Sequence, residues 1–356
     1  MRINLGRRQV IKAAATAAAF PSVFIRGARA ATRSIQVGVY SGQQGEYVRK
    51  QIIPKFEADL DCKVFATEGS TLNQIAALRA TRDNPKFSVM FMDDIGIEVS
   101  KREGLIDALP VDKIPNIAGV LPRFMFFDGY GAGFALAAGG LVYNPQVTKP
   151  LASYAELWEP RFKQKFLMTS PKSTQSLYLL IAAVSIVTGK PLKDAQYEID
   201  SVWPKMAELK PNVVSTYENM SQVMMVAQGQ VEIAGIEWSK NLYPYTVQGA
   251  PLDMCFPKEG TFAGINCLSF VKNGPEPDLA AAFINRMLDP SVQQGLATAT
   301  LNAPSVKGAT FGPDIAKYIA YPESKMSEMG LFAADWAFIN PRRPGWLEKY
   351  NQVFGA

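Results

Sequence analysis

The stretch SIQVGVYSGQQGEYVRKQIIPKFEADL, residues 34–60, sets the architecture. Its first seven residues, Ser34 to Tyr40, form a short apolar segment carrying β-branched Ile35, Val37 and Val39, which reads as a strand. Ser41-Gly42-Gln43-Gln44-Gly45 punctuates it. Glu46 to Leu60 then places Tyr47, Ile52, Ile53 and Phe56 at helical intervals. The same alternation follows. Cys62 to Ala66 reads as a strand, Thr67 to Thr71 as a polar turn, and Leu72, Ile75, Ala76 and Leu78 as a helix face. Phe87 to Met92 is a third strand, ending on Asp93-Asp94, and a helix through Glu98 to Glu103 has Gly104 as its expected stop. Strands alternating with helices predict a parallel α/β sheet covered on both faces. The polar turns follow strand ends, where open α/β sheets hold ligands.

Upstream lies a segment of another kind. Arg2, Arg7, Arg8 and Lys12 precede an apolar run from Ala13 to Ile25, and Ala28-Arg29-Ala30 offers a small-x-small cleavage site. That order is expected of a secretory signal peptide over residues 1–30. The run is shorter than the roughly 20 residues a membrane span needs, and Pro21 interrupts it. Gly6-Arg7-Arg8-Gln9-Val10-Ile11-Lys12 resembles a twin-arginine export signal. The whole chain carries a net charge of +5. Without the six basic residues of this segment the remainder is close to neutral, so composition supports neither nucleic-acid binding nor membrane insertion. About 326 residues then remain, enough for two lobes with separate cores.

The chain contains no histidine. That removes Ser-His-Asp and Cys-His nucleophilic machinery, the H-E-x-x-H zinc site and the two-histidine iron site. No nucleophile elbow, P-loop or complete dinucleotide fingerprint is present, and Gly131-Ala132-Gly133 lacks the third glycine of the last. No enzyme, cofactor or metal is expected. Cys62, Cys255 and Cys267 lack zinc spacing; the sequence leaves open one disulfide, Cys255–Cys267, or three buried thiols.

The middle of the chain differs in character. Phe124 to Gly140 is rich in Phe, Gly and Ala, which suits either a narrow crossing between lobes or a core strand flanked by loops. Phe166 to Met168 reads as a strand. Ser173 or Thr174 is the expected N-cap of a long apolar helix from Ser176 to Val187. Met220 to Gln228 reads as an amphipathic helix, and Val231 to Ile236 as a strand ending on Glu237-Trp238.

Five motifs in order carry a family resemblance. Gly139-Gly140-Leu141-Val142-Tyr143-Asn144, Glu156-Leu157-Trp158-Glu159-Pro160-Arg161-Phe162-Lys163, Leu209-Lys210-Pro211-Asn212-Val213, Pro257-Lys258-Glu259-Gly260 and the Ala280–Val292 helix-turn resemble elements of bacterial extracellular solute-binding proteins, the spermidine/putrescine-binding type among them. The resemblance implies a type II periplasmic binding protein fold: two α/β lobes joined by crossover strands, with a ligand cleft between them. Lobe one is expected at residues 33–137 and 257–303, lobe two at 138–256 and 304–356. It also implies a periplasmic monomer, cleaved near Ala30, that delivers a small-molecule ligand to an inner-membrane ABC permease and its ATPase.

Strand-end turns facing that cleft are the candidate ligand contacts: Tyr40, Ser41, Gln43, Ser70, Thr71, Asp93 and Asp94 from lobe one, Ser173, Thr174, Gln175, Glu237 and Trp238 from lobe two, and Asn266 near the crossover. Where polyamine binders place a tryptophan and then an aspartate after the Pro257–Gly260 turn, this chain has Gly264 and Asn266, and Ser170-Pro171-Lys172-Ser173-Thr174 replaces an acidic turn. Two anchors for cationic ends are therefore absent. A solute with one positive and one negative or hydroxylated end, amine-, amino-acid- or phosphonate-like, fits better. The alternatives are a polyamine, ferric ion held by Tyr243 and Tyr245 on one face of an extended strand, or an exported histidine-free enzyme using Asp93, Asp94 and Glu237.

Overall fold

A computed structural model describes residues 33–355; the expected signal peptide and its cleavage site lie outside them. The described residues contain twelve strands: β1 (Ser34–Val39), β2 (Lys63–Glu68), β3 (Val89–Asp93), β4 (Ile106–Asp107), β5 (Met125–Phe126), β6 (Gly131–Tyr143), β7 (Phe166–Thr169), β8 (Val213–Tyr217), β9 (Ile233–Trp238), β10 (Asp253–Cys255), β11 (Thr261–Val271) and β12 (Leu331–Phe332). The main path of the sheet runs β2-β1-β3-β11-β6-β9-β7-β8. Its two ends are parallel blocks, β2-β1-β3 and β9-β7-β8, as the strand–helix alternation requires. Between them β3–β11, β11–β6 and β6–β9 pair antiparallel.

The Gly- and Ala-rich middle segment resolves into one long strand. All thirteen residues of β6 are buried. Its first part pairs with β11, Ala132 opposite Leu268 through Gly139 opposite Phe262. Its last part pairs with β9, Gly139 opposite Trp238 through Tyr143 opposite Ile233. One strand thus belongs to both halves of the sheet. Its small side chains let neighbouring aromatics close over it, and a Cβ at Gly139 or Gly264 would meet the Trp238 ring at about 3 Å.

Two buried clusters flank the sheet. One gathers Phe56, Phe91, Phe134 and Phe283, with Phe56 and Phe283 edge to face at 5.2 Å between ring centroids. The other gathers Tyr154, Phe162, Tyr178, Phe262 and Trp336, where Tyr178 stacks on Phe262 at 4.6 Å.

Several local expectations need correction. The helix after β1 begins at Gly42 and contains a wider π-type turn over Val48–Ile52. Pro54, which has no N–H to donate, follows directly. Thr174 sits at the start of helix Gln175–Thr188 but makes no side-chain cap, because its own backbone is already helical. β9 starts two residues later than the sequence indicates, at Ile233, and runs through Glu237-Trp238. The expected stop at Gly104 has φ +67°, the left-handed conformation a helix C-terminus favours. All three cysteines are free and buried, so the Cys255–Cys267 disulfide is not formed.

Gly45 packs its backbone directly against the turn carrying Tyr40. A Cβ there would stand 1.7 Å from the Tyr40 carbonyl oxygen. Gly45→Ala should therefore displace this turn and lower unfolding stability by about 1–3 kcal/mol or more, read from a urea transition; an unchanged midpoint would contradict the packing.

Candidate functional site

Strand ends build the site. β1 ends at Val39, so Tyr40 opens the turn Ser41-Gly42-Gln43-Gln44. β2 leads to Gly69-Ser70-Thr71, where Ser70 caps helix Thr71–Ala80: its hydroxyl accepts from Asn73 N and its own N–H donates to Asn73 Oδ1. β3 ends on Asp93. From the opposite side, helix Ser239–Val247 presents Lys240 and Asn241 immediately after β9. These residues, with Thr300 and Asn302, line one cavity of about 380 Å³.

Asp93 is its electrostatic centre. It occupies the N-cap position of helix Asp94–Arg102, yet its side chain makes no cap bond. Instead Oδ1 accepts from the Tyr40 hydroxyl at 2.8 Å and from Asn266 Nδ2 at 2.7 Å. The Thr71 hydroxyl lies 3.3 Å from the Tyr40 hydroxyl and accepts from the Asp93 backbone N–H at 3.0 Å. Burial first, and then the Asp93 charge, push the Tyr40 phenol well above its ordinary range, so it stays a neutral donor. Across the cavity Lys240 Nζ donates to Asn266 Oδ1 at 3.4 Å. Burial lowers the Lys240 pKa, while the charges of Asp93 and Glu237 oppose that fall.

Of the sequence candidates, Tyr40, Ser41, Gln43, Ser70, Thr71 and Asp93 come together on this lining. Asn266 stands behind it, bonded to Asp93, Lys240 and, at 3.3 Å, Gln44. Six other candidates are not on the lining. Asp94 is only 3% exposed; its Oδ1 accepts from Ile95 N, and its Oδ2 has no well-aligned partner although the Trp336 indole is adjacent. Glu237 is buried, and its carboxylate is held by Trp238 N at 2.7 Å and Asn241 Nδ2 at 2.9 Å, so Lys240 is not its partner. Burial raises the Glu237 pKa against those bonds. Trp238 packs edge-on to Tyr178 at 5.5 Å in the second cluster. Ser173, Thr174 and Gln175 start helix Gln175–Thr188, where the Ser173 hydroxyl bonds the Gln175 side chain and accepts from its backbone N–H.

Gln44, Lys240, Asn241, Thr300 and Asn302 escaped the sequence reading. Lys240 and Asn241 directly follow the strand-end pair Glu237-Trp238, so extending the strand-end rule by one helical turn finds them. Thr300 and Asn302 flank Leu301, whose left-handed φ of +54° turns the chain beneath the cavity; no sequence pattern marks that turn.

The tyrosine pair for iron is also corrected. Tyr243 and Tyr245 lie in helix Ser239–Val247, not on a strand. Residues two apart in a helix face different ways: Tyr243 is buried and Tyr245 exposed. Among the described residues no three Cys, Asp or Glu side chains gather as a metal set. A separate groove of about 480 Å³ between β8 and helix Arg343–Phe354 is walled mainly by Met168, Val214, Tyr350 and Phe354 and draws on one half of the sheet.

The profile of the family described as bacterial extracellular solute-binding protein matches residues 51–323. Over 322 residues the chain is 23% identical to the spermidine/putrescine-binding periplasmic protein of Salmonella typhimurium, covering 87% of this chain and 90% of that one. An ABC transporter structure from Clostridium perfringens superposes with a TM-score of 0.78 at 21% identity, covering 90% of this chain and all of the other. An ABC transporter substrate-binding protein from Bradyrhizobium japonicum gives 0.74 at 16% identity, over 91% and 100% of the two chains. The architecture is the two-lobed periplasmic binding fold, and the family and these relatives are binding proteins rather than enzymes.

Burial pushes the Asp94 carboxyl up to about 8, and the adjacent Trp336 indole relieves this only in part. Its unfolded value is near 4. Between those values the native state holds a proton that the unfolded chain has released, so this group's contribution falls as pH rises from about 4 to about 8, then levels off. Asp94→Asn should flatten that slope and raise stability at pH 8 by at least about 2 kcal/mol. Parallel wild-type and mutant urea titrations across that range would refute the assignment.

Proposed function

The chain belongs to the bacterial extracellular solute-binding protein family, and from that premise we propose that the cavity at Asp93 and Lys240 is the site where its solute is held. Solute capture outside the cytoplasm and delivery to an ABC permease is the activity of the fold and family. The ligand class we assign is a small polar solute, amine-, amino-acid- or phosphonate-like.

One observation supports the site: a polar cavity that carries both Asp93 and Lys240 draws its walls from both halves of the sheet. Tyr40, Ser70 and Asp93 come from the β2-β1-β3 side, Lys240 and Asn241 from the β9 side. A solute touching both stabilises whichever arrangement brings them together, and that differential affinity is what drives closure. In this reading the lobes are residues 33–137 with 257–303 and residues 138–256 with 304–356, hinged on β6 and β11. The protein acts as a monomer, exported with loss of its leader near Ala30, and docks when closed on a permease driven by an ATPase. It releases the solute unchanged: Asp93, Asp94 and Glu237 share no lining on which acid–base chemistry would require them.

The test is a thermal-shift screen of amines, amino acids, aminophosphonates, sugars and ferric complexes. A ligand at 100 times its Kd adds about 2.7 kcal/mol. We expect a hit recovered chemically intact, weakened at least tenfold, about 1.4 kcal/mol, by Asp93→Ala and by Asn241→Ala. A hit indifferent to both changes would remove the cavity from the account, and turnover of the hit would make the protein an enzyme.

A further inference from the structure

Two groups of opposite charge face this cavity without pairing. Among the described residues no carboxylate stands within ion-pair distance of Lys240 Nζ, although Asp93 lines the same space. Asn266 lies between them, 2% exposed. Its Nδ2 donates to Asp93 Oδ1 and its Oδ1 accepts from Lys240 Nζ. The sheet fixes this placement, because Asn266 of β11 sits directly opposite Asp93 of β3. The amide matches both neighbours at once, giving protons to the anion and a lone pair to the cation. Tyr40 bonds the same Asp93 oxygen, Oδ1, and Oδ2 has no hydrogen bond among the described residues.

Resting on the cavity as the solute site, we propose that Asn266 is a spacer holding Asp93 and Lys240 apart as the poles of a dipolar site, whose solute carries one ammonium and one oxyanion. Were the two charges adjacent, they would neutralise one another, and a ligand would have to break that pair to bind. Held apart by a neutral amide, each keeps capacity for a group of opposite sign. The solute ammonium meets Asp93 Oδ2, and its carboxylate or phosphonate meets Lys240. A diamine places one end against a like charge at Lys240, and a diacid does so at Asp93, in a site where both charges are partly withdrawn from water. Asn266 is thus a positioning residue, acting through the two charges it separates.

The charged groups facing Lys240 are Asp93 and Glu237, and Tyr40 remains neutral between Asp93 and Thr71. Affinity for a dipolar solute should therefore fall on the alkaline side, first as Lys240, whose pKa burial lowers, loses its proton and then as the solute ammonium loses its own. Removing the spacer lets Lys240 pair with Asp93, which favours the ammonium and moves that alkaline limb upward even as binding weakens. A merely structural loss would weaken binding without moving it.

Calorimetry on the purified protein with α,ω-diamines, ω-amino acids and α,ω-dicarboxylates of two to six carbons, together with 2-aminoethylphosphonate, tests this. A dipolar member should bind most tightly, with the diamine and diacid of equal length at least tenfold weaker. Asn266→Ala should cost that member at least tenfold and shift the alkaline limb up. Lys240→Gln, which does not touch the sheet ladder, should move preference toward the diamine and carries the test if the Asn266 variant does not fold. A diamine or diacid as the strongest binder, no dipolar binder, an unmoved alkaline limb in folded Asn266→Ala, or an unchanged preference in Lys240→Gln would each overturn the proposal. A sugar that binds at the cavity would overturn it while leaving the receptor reading intact; absence of binding by every solute class would overturn both.

Discussion

The antiparallel ladder between β6 and β11 is the constraint on which the rest depends. It joins the two halves of the sheet, because β11 pairs with β3 of one parallel block and β6 with β9 of the other, and most of its paired residues are small or β-branched. Small residues are required because aromatic side chains press on it from the second cluster: Trp238 fills the space that a Cβ at Gly139 or Gly264 would occupy. The same ladder carries Asn266 to its position opposite Asp93. The ladder that joins the two halves of the sheet therefore also sets the contact between Asn266 and Asp93.

Much of this was legible in the sequence, for reasons that can be named. The strand–helix alternation after Ser34 marks the first parallel block because each strand is short and followed by a polar turn or helix start: Ser41-Gly42-Gln43, Gly69-Ser70 and Asp93-Asp94. The candidates on those turns, Tyr40, Ser41, Gln43, Ser70, Thr71 and Asp93, share one cavity because parallel strands end on the same edge. Beyond that edge the reading weakened. Ser173, Thr174 and Gln175 also follow a strand, but they begin a helix, where the Ser173 hydroxyl bonds Gln175. Glu237 and Trp238 end β9, yet Trp238 N and Asn241 hold the Glu237 carboxylate and the Trp238 ring packs on Tyr178, so neither lines the cavity. Asn241, not the nearby Lys240, bonds the Glu237 carboxylate, and the ammonium faces the cavity. Hydrogen-bond assignments of this kind are decided by tertiary geometry and leave no mark in residue order.

The site is electrostatically economical. It keeps one carboxylate and one ammonium half-buried, and surrounds them with hydroxyls and amides that bind either sign weakly. Asp93 gives up the cap it occupies by position so that Tyr40 and Asn266 can hold its carboxylate toward the cavity. Helix Asp94–Arg102 begins at the next residue and reaches the C-terminal segment, where Asn340 Nδ2 donates to Glu98 Oε2 at 2.5 Å. The helix that begins at the site thus contacts a segment that packs on the second cluster.

Closure of two lobes about β6 and β11 around a bound solute is the central step we propose. Small-angle X-ray scattering of the purified protein, with and without a solute that stabilises it, measures this directly. A smaller radius of gyration in the bound state is the predicted result. Identical scattering curves from free and saturated protein would contradict closure, and with it the mechanism by which binding is signalled to the permease.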